Sequence, residues 1–449
     1  MENISILDER KDFILLKQGG CGGNGMKCDT NSVSGSVSQR ACVYSGARVV
    51  LNPITDAFHI VHGPIGCASY TWDIRGSLSS GEDLYRNSFS TDLREQDVIF
   101  GGEKKLTAAI EEIAENHQPK LIFVYSTCIV GVIGDDVEAV CKAMSEKYNI
   151  RVIPVKSPGF SGNKSVGYKM ACNAIMELIK DVKPEKRRGV NILGDFNLAG
   201  EMWIIKDYLN KIGIQVVSTI TGDSNYENLL KAPSAELNIV QCAGSSTYLA
   251  NRMEEEMGIP YIKVSFFGIE DTTSSLIRTA EALNNEEARQ KAIAFTSEEA
   301  EKIKDFEAKY RKNLDGKKAA IYVGGGFKAI SLIRQFRSMG IETVVVGTQT
   351  GKKEDYDIIE SLVNPDTVIL DDTNPAELEK FIKEKGAHIL VGGVKERPLA
   401  YKLGIAFCDH NHERKHPLSG FDGVINFTKE INMSINNPVW KFIRKEAAL

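Results

Sequence analysis

The sequence has no run of about 18 or more apolar residues, so it contains no stretch that could cross a bilayer as a helix. It has no excess of basic residues either, because 55 lysines and arginines stand against 60 acidic residues and the formal net charge is −5. This balance disfavours a nucleic-acid-binding stripe or an anchor for anionic membranes. The first residues, MENISILDERKDF, lack the basic and apolar regions of a signal peptide, so we expect a cytoplasmic protein.

The common nucleotide-binding and hydrolase motifs are also missing. The glycine turn GGGFKA at residues 324–329 follows a predicted strand, but it matches neither G-x-G-x-x-G nor G-x-x-x-x-G-K-[ST]. Such a turn could cradle an anion, although a glycine turn more often serves the packing of a strand against a helix. No serine elbow and no Cys-His-Asn pattern stands out. The sequence therefore gives little support to an NAD-binding, P-loop or hydrolase function.

The chain has nine cysteines, an odd number that fits a disulfide framework poorly, and a reducing compartment disfavours disulfides in any case. Metal ligation or burial must then explain them. The pair Cys21 and Cys28 is spaced more widely than the pairs of zinc sites, so it gives little support for a metal. The segment CDHNHERKH at residues 408–416 invites a zinc hypothesis, but its spacings match no zinc finger and favour a solvated loop.

The most informative stretch is LIFVYSTCIVGVIGDD at residues 121–136. Its first six residues have the length and the β-branched and aromatic content of a buried parallel strand. Asp135 and Asp136 begin the next helix, at the positive end of its dipole. Cys128 is therefore predicted just beyond the carboxyl end of a strand, where open α/β sheets bind ligands. The residues alone leave open whether this thiol is a ligand or a small buried hydrophobe.

Other cysteines have comparable surroundings. Cys42 and Cys67 lie in predicted glycine-bearing turns, and the Gly63-Pro64 pair lets the backbone come close to whatever Cys67 faces. Cys242 ends the predicted strand LNIVQC and precedes AGSS, small residues that leave room and can cap the next helix. Several thiols are thus predicted at strand ends or turns.

The length of 449 residues exceeds what one hydrophobic core supports, so several domains are expected. Predicted strands and helices alternate in a βαβ rhythm, which predicts an α/β fold of three Rossmann-like lobes with mainly parallel sheets. We place an irregular N-terminal arm and lobes I, II and III at residues 1–40, 41–185, 186–315 and 316–449. The charged helical region at residues 284–315 is predicted to be a solvated connector.

Five segments together resemble the nitrogenase component 1 superfamily, and most closely its cofactor-assembly branch. They are HIVHGPIGCASYTWDIRG, STDLREQDVIFGGEKKL, YSTCIVGVIGDD, GDFNLAGE and GGVKERPLAYKLGIAFCDHNHERK. The resemblance runs from about Arg40 to the C-terminus. It implies a subunit of three α/β lobes that pairs with a homologous β-type subunit in an α2β2 heterotetramer.

The resemblance also implies two metal-binding sites. Three cysteines of an α-type chain help to hold a [4Fe–4S]-type cluster at the subunit interface, and the matching residues are Cys42, Cys67 and Cys128. Another cysteine anchors one end of the large iron–sulfur cofactor, and Cys242 matches it. Arg75 and Lys395 match basic positions near that cofactor, where they would offset the charge of the cluster or of an organic acid such as homocitrate.

The chain departs from the catalytic α-subunit of the superfamily at three places. That subunit has a cofactor-ligating histidine just before a terminal G-F-D-G, whereas here Ser419 precedes residues 420–423, with Asn411 or a nearby histidine as alternatives for that role. The loop GFSGNKSVGY at residues 159–168 lacks the glutamine and histidine that the catalytic subunit places beside its substrate. Lys328 stands where that subunit has an arginine.

These departures favour an assembly scaffold. Such a protein receives an all-iron precursor from a radical-SAM protein, supports insertion of molybdenum and homocitrate with the nitrogenase iron protein, and passes the product on. The alternative is an α-type catalytic subunit of a nitrogenase or nitrogenase-like reductase. Both functions use the same four matched cysteines, whose retention disfavours a structural homologue without metal.

Overall fold

The computed structural model describes residues 6, 8–17, 26–28, 41–71, 78, 84–184, 187–411, 414, 416–440 and 442. The chain divides into two compact units. The N-unit comprises residues 41–263, and the C-unit comprises residues 264–449 together with the first 40 residues.

Strands and helices alternate through most of the described chain. The strands are β1 (Ile14–Leu16), β2 (Ala57–His62), β3 (Ser88–Ser90), β4 (Leu121–Ser126), β5 (Arg151–Lys156), β6 (Val190–Leu193), β7 (Val216–Ile220), β8 (Leu237–Val240), β9 (Tyr261–Lys263), β10 (Lys318–Val323), β11 (Glu342–Thr348), β12 (Val368–Asp371), β13 (Ile389–Gly392) and β14 (Ala406–Asp409). The α-helices are α1 (Val43–Leu51), α2 (Ile65–Thr71), α3 (Glu95–Phe100), α4 (Glu103–His117), α5 (Cys128–Ile133), α6 (Val137–Tyr148), α7 (Lys164–Ile179), α8 (Glu201–Lys211), α9 (Tyr226–Leu230), α10 (Ala243–Met257), α11 (Ile269–Ala282), α12 (Glu286–Leu314), α13 (Gly326–Ser338), α14 (Lys353–Leu362), α15 (Pro375–Lys385), α16 (Arg397–Lys402) and α17 (Gly420–Ile435).

The N-unit contains two four-stranded parallel sheets, with the strand orders β3-β2-β4-β5 and β7-β6-β8-β9. All residues of β4 and β8 are buried, as expected for parallel strands that are covered on both faces. Residues of both sheets, among them Tyr125 and Val240, belong to one hydrophobic core. Cys128 and Cys242 each lie two residues beyond the carboxyl end of a strand, β4 and β8 respectively.

The C-unit contains one six-stranded sheet with the order β1-β12-β11-β10-β13-β14. Its strands are parallel except for β1, which pairs antiparallel with β12 so that Ile14 lies opposite Leu370. The predicted irregular arm is therefore regular at residues 8–17, which form a 3₁₀ turn and this edge strand. A three-residue strand is too short to produce a periodic pattern in the sequence.

The three sheets confirm the predicted α/β fold with mainly parallel strands. The predicted boundaries of the three lobes stay predictions, and the chain passes from one compact unit to the other after residues 40 and 263. The region predicted as a solvated connector is the helix α12, which buries one face and packs on α11 and α17. Among the described helices none is long and apolar enough to cross a membrane.

A buried ion pair fastens the N-terminal segment to the C-unit. Arg10 is only 2% exposed, and its Nε lies 3.1 Å from Oε1 and 3.2 Å from Oε2 of Glu377. Its Nη2 donates to the carbonyl oxygen of Asp371, the last residue of β12, over 2.6 Å. The hydroxyl of Thr373 donates to the same Glu377 carboxylate over 2.8 Å. Both charges are thus compensated where water is excluded.

We predict that Arg10→Ala lowers the free energy of unfolding by about 3–5 kcal/mol, because it leaves the carboxylate of Glu377 buried without a cation. Urea unfolding measures the change. The matched control is Lys11→Ala, whose ion pair with Asp8 has side chains 68% and 91% exposed and should contribute nothing measurable. Equal effects of the two substitutions would show that the buried pair does not hold the segment.

Candidate functional site

Cys42, Cys67 and Cys128 lie on three helices of the N-unit. Cys42 is the N-cap residue of α1, in extended backbone conformation. Cys67 lies inside the short helix α2, and Cys128 is the first residue of α5. Cys128 is therefore beyond the end of β4, as the sequence predicted, whereas Cys42 and Cys67 belong to helices rather than to the predicted turns.

Gly159 shows how closely two of these cysteines approach. A Cβ atom on Gly159 would lie 2.9 Å from Sγ of Cys128, 3.2 Å from Cβ of Cys42 and 3.5 Å from Sγ of Cys42. The backbone N–H of Gly159 donates to Sγ of Cys128 over 3.1 Å. Both sulfurs therefore border Gly159, and a side chain there would displace Sγ of Cys128.

Cys67 lies close enough to Cys42 and Cys128 for its thiol to interact electrostatically with theirs. Partial burial raises the pKa of the Cys67 thiol, and the neighbouring Cys128 and Cys42 thiols raise it further. A nearby anionic group has this effect because like charges disfavour ionisation. Bound iron would have the opposite effect, since a coordinating thiol is deprotonated.

The three thiols fit an iron–sulfur cluster better than a single ion. Among the described residues, no group of three or more His, Cys, Asp or Glu side chains could hold one metal ion. A cluster imposes a different requirement, because its thiolates bind separate iron atoms and need not converge on one point. Cys128 is exposed, and a Cβ on Gly66, beside Cys67, would meet no atom within 4 Å. The site thus offers three sulfurs, free space beside them and a backbone N–H on one sulfur.

Exposed apolar side chains lie on the elements that carry these cysteines. Ile65 belongs to α2, Val132 to α5, and Phe160 to the 3₁₀ turn that contains Gly159. Ile99 and Phe100 lie on α3, which packs against α5. Apolar side chains exposed together are typical of surfaces that another protein covers.

Cys242 is the N-cap residue of α10, two residues after the end of β8. The chain passes close to it at Gly194, whose φ is +85°. A Cβ on Gly194 would lie 3.0 Å from both N and Cβ of Cys242 and 2.8 Å from Oγ of Ser246. The half-buried thiol therefore lies at the positive end of a fifteen-residue helix, which favours an anionic ligand.

In the C-unit, Lys395 and Asn411 belong to neighbouring turns. Lys395 is exposed in the turn after β13, and Asn411 lies in the turn after β14. A Cβ on Gly393 would lie 2.6 Å from Nδ2 of Asn411 and 3.3 Å from Oε2 of Glu396. Burial raises the pKa of Glu396 to about 7, and its Oε2 accepts from the backbone N–H of Gly393 over 2.7 Å. Asn411 thus packs on the turn that carries Lys395.

Ser419 has different surroundings. It is fully buried at the start of α17, and the following backbone N–H, of Gly420, donates to the carbonyl oxygen of Phe266. Of Ser419 and Asn411, it is therefore Asn411 that lies beside the turn of Lys395, whereas His412 lies outside the described residues. Lys328 supports this arrangement, because its Nζ donates to the carbonyl oxygen of His410 over 3.0 Å.

Three other cysteines are buried residues of the hydrophobic cores. Cys141, Cys172 and Cys408 are at most 1% exposed. Burial raises the pKa of Cys141 and of Cys172 to about 12 and raises that of Cys408 well above its usual value. The zinc hypothesis for residues 408–416 gains no support, since Cys408 is in the core. Arg75 and Cys21 lie outside the described residues, whereas Cys28 packs against the core of the C-unit.

Comparison with known proteins places these features in one family. The model of the nitrogenase component 1 type oxidoreductase family matches residues 42–436. Two similar relatives are nitrogenase iron-molybdenum cofactor biosynthesis proteins NifE. The protein from Clostridium pasteurianum is 68% identical over 447 residues, and that from Methanosarcina barkeri is 52% identical over 454 residues. Each comparison covers 98% of both chains.

A solved structure agrees with the sequence relatives. The structure titled "Nitrogenase Cp1 at pH 6.5" superposes with a TM-score of 0.90 at 30% sequence identity, covering 97% of this chain and 96% of the other. The matching residues include Cys42, Cys67, Cys128 and Cys242. The chain therefore belongs to the nitrogenase component 1 type oxidoreductase family.

Proposed function

We propose that this chain is a scaffold for maturation of the iron–molybdenum cofactor of nitrogenase. It holds an iron–sulfur precursor while molybdenum and homocitrate are inserted, and it then passes the product on. The observation that carries the proposal is the 68% identity, over nearly the whole chain, to a relative named for the biosynthesis of this cofactor. The precursor is thus the cargo of the protein and not its resident cofactor.

A single thiol suits a cargo that has to leave. Cys242 is proposed to anchor the precursor, and the N-terminus of α10 adds a favourable potential for an anionic cluster. Asn411 offers a neutral amide, which is a weaker ligand for transition metals than the imidazole of a histidine. Lys395, and by resemblance Arg75, are proposed to offset the charge of the matured cofactor. A single thiolate therefore leaves the ligation of the cargo incomplete.

Cys42, Cys67 and Cys128 are proposed to hold a resident [4Fe–4S]-type cluster. When bound, such a cluster would supply one-electron transfer. Three thiols from one chain leave the remaining ligation to a partner, which we propose to be the homologous β-type subunit NifN in an α2β2 heterotetramer. The exposed side chains of Ile65 and Val132, on the helices that carry two of the cysteines, support a protein partner at this surface.

Two further partners follow from the scaffold function. An all-iron precursor has to be supplied, and the resemblance points to a radical-SAM protein as its source. Insertion of molybdenum and homocitrate is proposed to involve the nitrogenase iron protein. The second candidate function, an α-type catalytic subunit of a nitrogenase or nitrogenase-like reductase, is favoured by the TM-score of 0.90 with a nitrogenase structure.

Replacing Cys42, Cys67 or Cys128 by Ala should remove roughly four irons per heterodimer, because each thiol is proposed to bind one iron of the resident cluster. Iron counting after anaerobic purification with the partner subunit measures the loss. Cys141→Ala is the matched control, since it removes a buried thiol of the same unit and should leave the iron content unchanged. Normal iron in all three variants would contradict the cluster assignment.

Cys242→Ala should abolish loading of the precursor and leave the iron at the other three cysteines in place. The reason is that the two sites use separate thiols on separate elements. Iron counting and EPR of the purified complex distinguish the two pools of iron. Full retention of the precursor by this variant would contradict the proposed anchor.

The loaded complex also distinguishes the scaffold from the reductase. Mixed with cofactor-free nitrogenase, it should transfer the matured cofactor and activate the acceptor. If nothing transfers, and the complex alone turns over a substrate with the iron protein at ~1 per second or more, the reductase function replaces the scaffold.

Asn411→His should increase retention of the matured cofactor and slow its transfer, because imidazole is a stronger ligand than an amide. Ser419→His is the matched control, since that position is fully buried and an imidazole there should only overpack the start of α17. The half-time of transfer to cofactor-free nitrogenase measures both variants. A slower transfer for Ser419→His alone would assign the ligand position to Ser419 instead.

A further inference from the structure

Gln241 is a buried glutamine in the turn between β8 and α10. Its backbone N–H donates to the carbonyl oxygen of Leu193 over 2.8 Å and so fixes the turn on the neighbouring strand β6. The side chain is only 5% exposed, and neither Oε1 nor Nε2 has a hydrogen-bond partner among the residues that the structure describes. The N-unit therefore buries a complete side-chain amide at the end of β8 and leaves it unsatisfied.

Burying an amide in this way is costly, since each unpaired donor or acceptor loses its hydrogen bonds to water. In the same sheet, the buried amide of Asn191 has its donor paired, although its Oδ1 has no partner among the described residues. Nδ2 of Asn191 donates to the carbonyl oxygen of Ala232 over 2.8 Å and to Oδ1 of Asn238 over 2.9 Å. Fold stability alone does not account for a glutamine at this position. An apolar side chain of similar size would fill the space without the free-energy cost of an unpaired amide.

The residue that follows Gln241 is Cys242, the proposed anchor of the cargo. The same turn begins α10, and its first residues include Ser245 and Ser246, which are buried small polar side chains. Gly194 makes the close approach to Cys242 and Ser246 described above. A thiol and a buried, unsatisfied amide are thus consecutive residues in the turn that begins a long helix, at the carboxyl edge of a parallel sheet, where α/β folds bind ligands.

We propose that Gln241 is a second protein contact to the iron–sulfur cargo. Its Nε2 donates a hydrogen bond to a sulfur atom of the cluster or to the cluster-bound thiolate, so that the amide is satisfied only when cargo is present. The contact adds no metal–ligand bond. It orients the cluster on the single thiol and slows its departure. This inference rests on the proposed function, since it requires a cluster at Cys242.

The test uses the complex of the chain with its partner subunit, purified anaerobically with precursor bound. Gln241→Leu should lose precursor iron to the chelator bathophenanthroline about tenfold faster or more, the factor expected from one hydrogen bond to a charged group. The EPR signal of the precursor should shift, because hydrogen bonds to sulfur tune a cluster. The melting temperature of the precursor-free complex should stay equal or rise.

Two other variants keep the test decisive. Gln241→Glu replaces the donor by an anion of the same shape and should lose the precursor faster still, even if Gln241→Leu folds poorly. Gln335→Leu is the matched control, because Gln335 is a buried glutamine of the C-unit whose amide also lacks a partner within the described part of the chain. Its precursor release should equal that of the unaltered protein.

Each outcome decides one point. Normal precursor release and an unchanged EPR signal in Gln241→Leu and Gln241→Glu would overturn the inference and leave the anchor at Cys242 intact. A lower melting temperature without faster release would assign Gln241 a purely structural role and overturn it as well. Retention of precursor by Cys242→Ala, measured in parallel, would instead overturn the proposed function on which the inference rests.

Discussion

The structure depends on the burial of parallel strands on both faces. Such strands leave no solvated side for polar or reactive groups, so these groups lie beyond the strand ends. β4 and β8 are buried along their whole length, and each leads into a turn followed by a helix. Cys128 and Cys242 occupy those turns or the helix start. Both candidate sites are thus consequences of how the sheets are covered.

The cysteines have identical side chains but differ in how far they are buried. Cys141 and Cys172 lie on helix faces that pack into the core, where burial disfavours the thiolate and so disfavours binding to a metal. Cys128 is exposed at the end of a strand and accepts a hydrogen bond from a backbone N–H. The position of a cysteine in the fold therefore separates the core side chains from the proposed ligands.

The sequence predicted those parts of the fold that rest on long apolar runs. β4, β8 and the positions of Cys128 and Cys242 after them follow from runs whose only favourable place is a buried strand. Contacts between distant segments leave no such pattern in the sequence. The place of Gly159 between two sulfurs is set by tertiary approach, and so is that of Asn411 on the turn of Lys395. A gapped motif match left Asn411 or a nearby histidine to fill the place of Ser419, and no sequence pattern shows that Asn411 packs on Gly393.

The antiparallel pairing of β1 with β12 has a consequence for synthesis of the chain. The ribosome releases Ile14 long before Leu370, its partner in the sheet. Until β12 emerges, the first strand has no native neighbour, and until β1 docks, β12 presents an open edge to other chains. Arg10 and Glu377 come together only after this delay, so their ion pair forms only when the C-unit is complete. A fusion partner or cleavage near the first residues would keep β1 from pairing. β12 would then remain an exposed edge strand, and the nascent protein would be prone to aggregation.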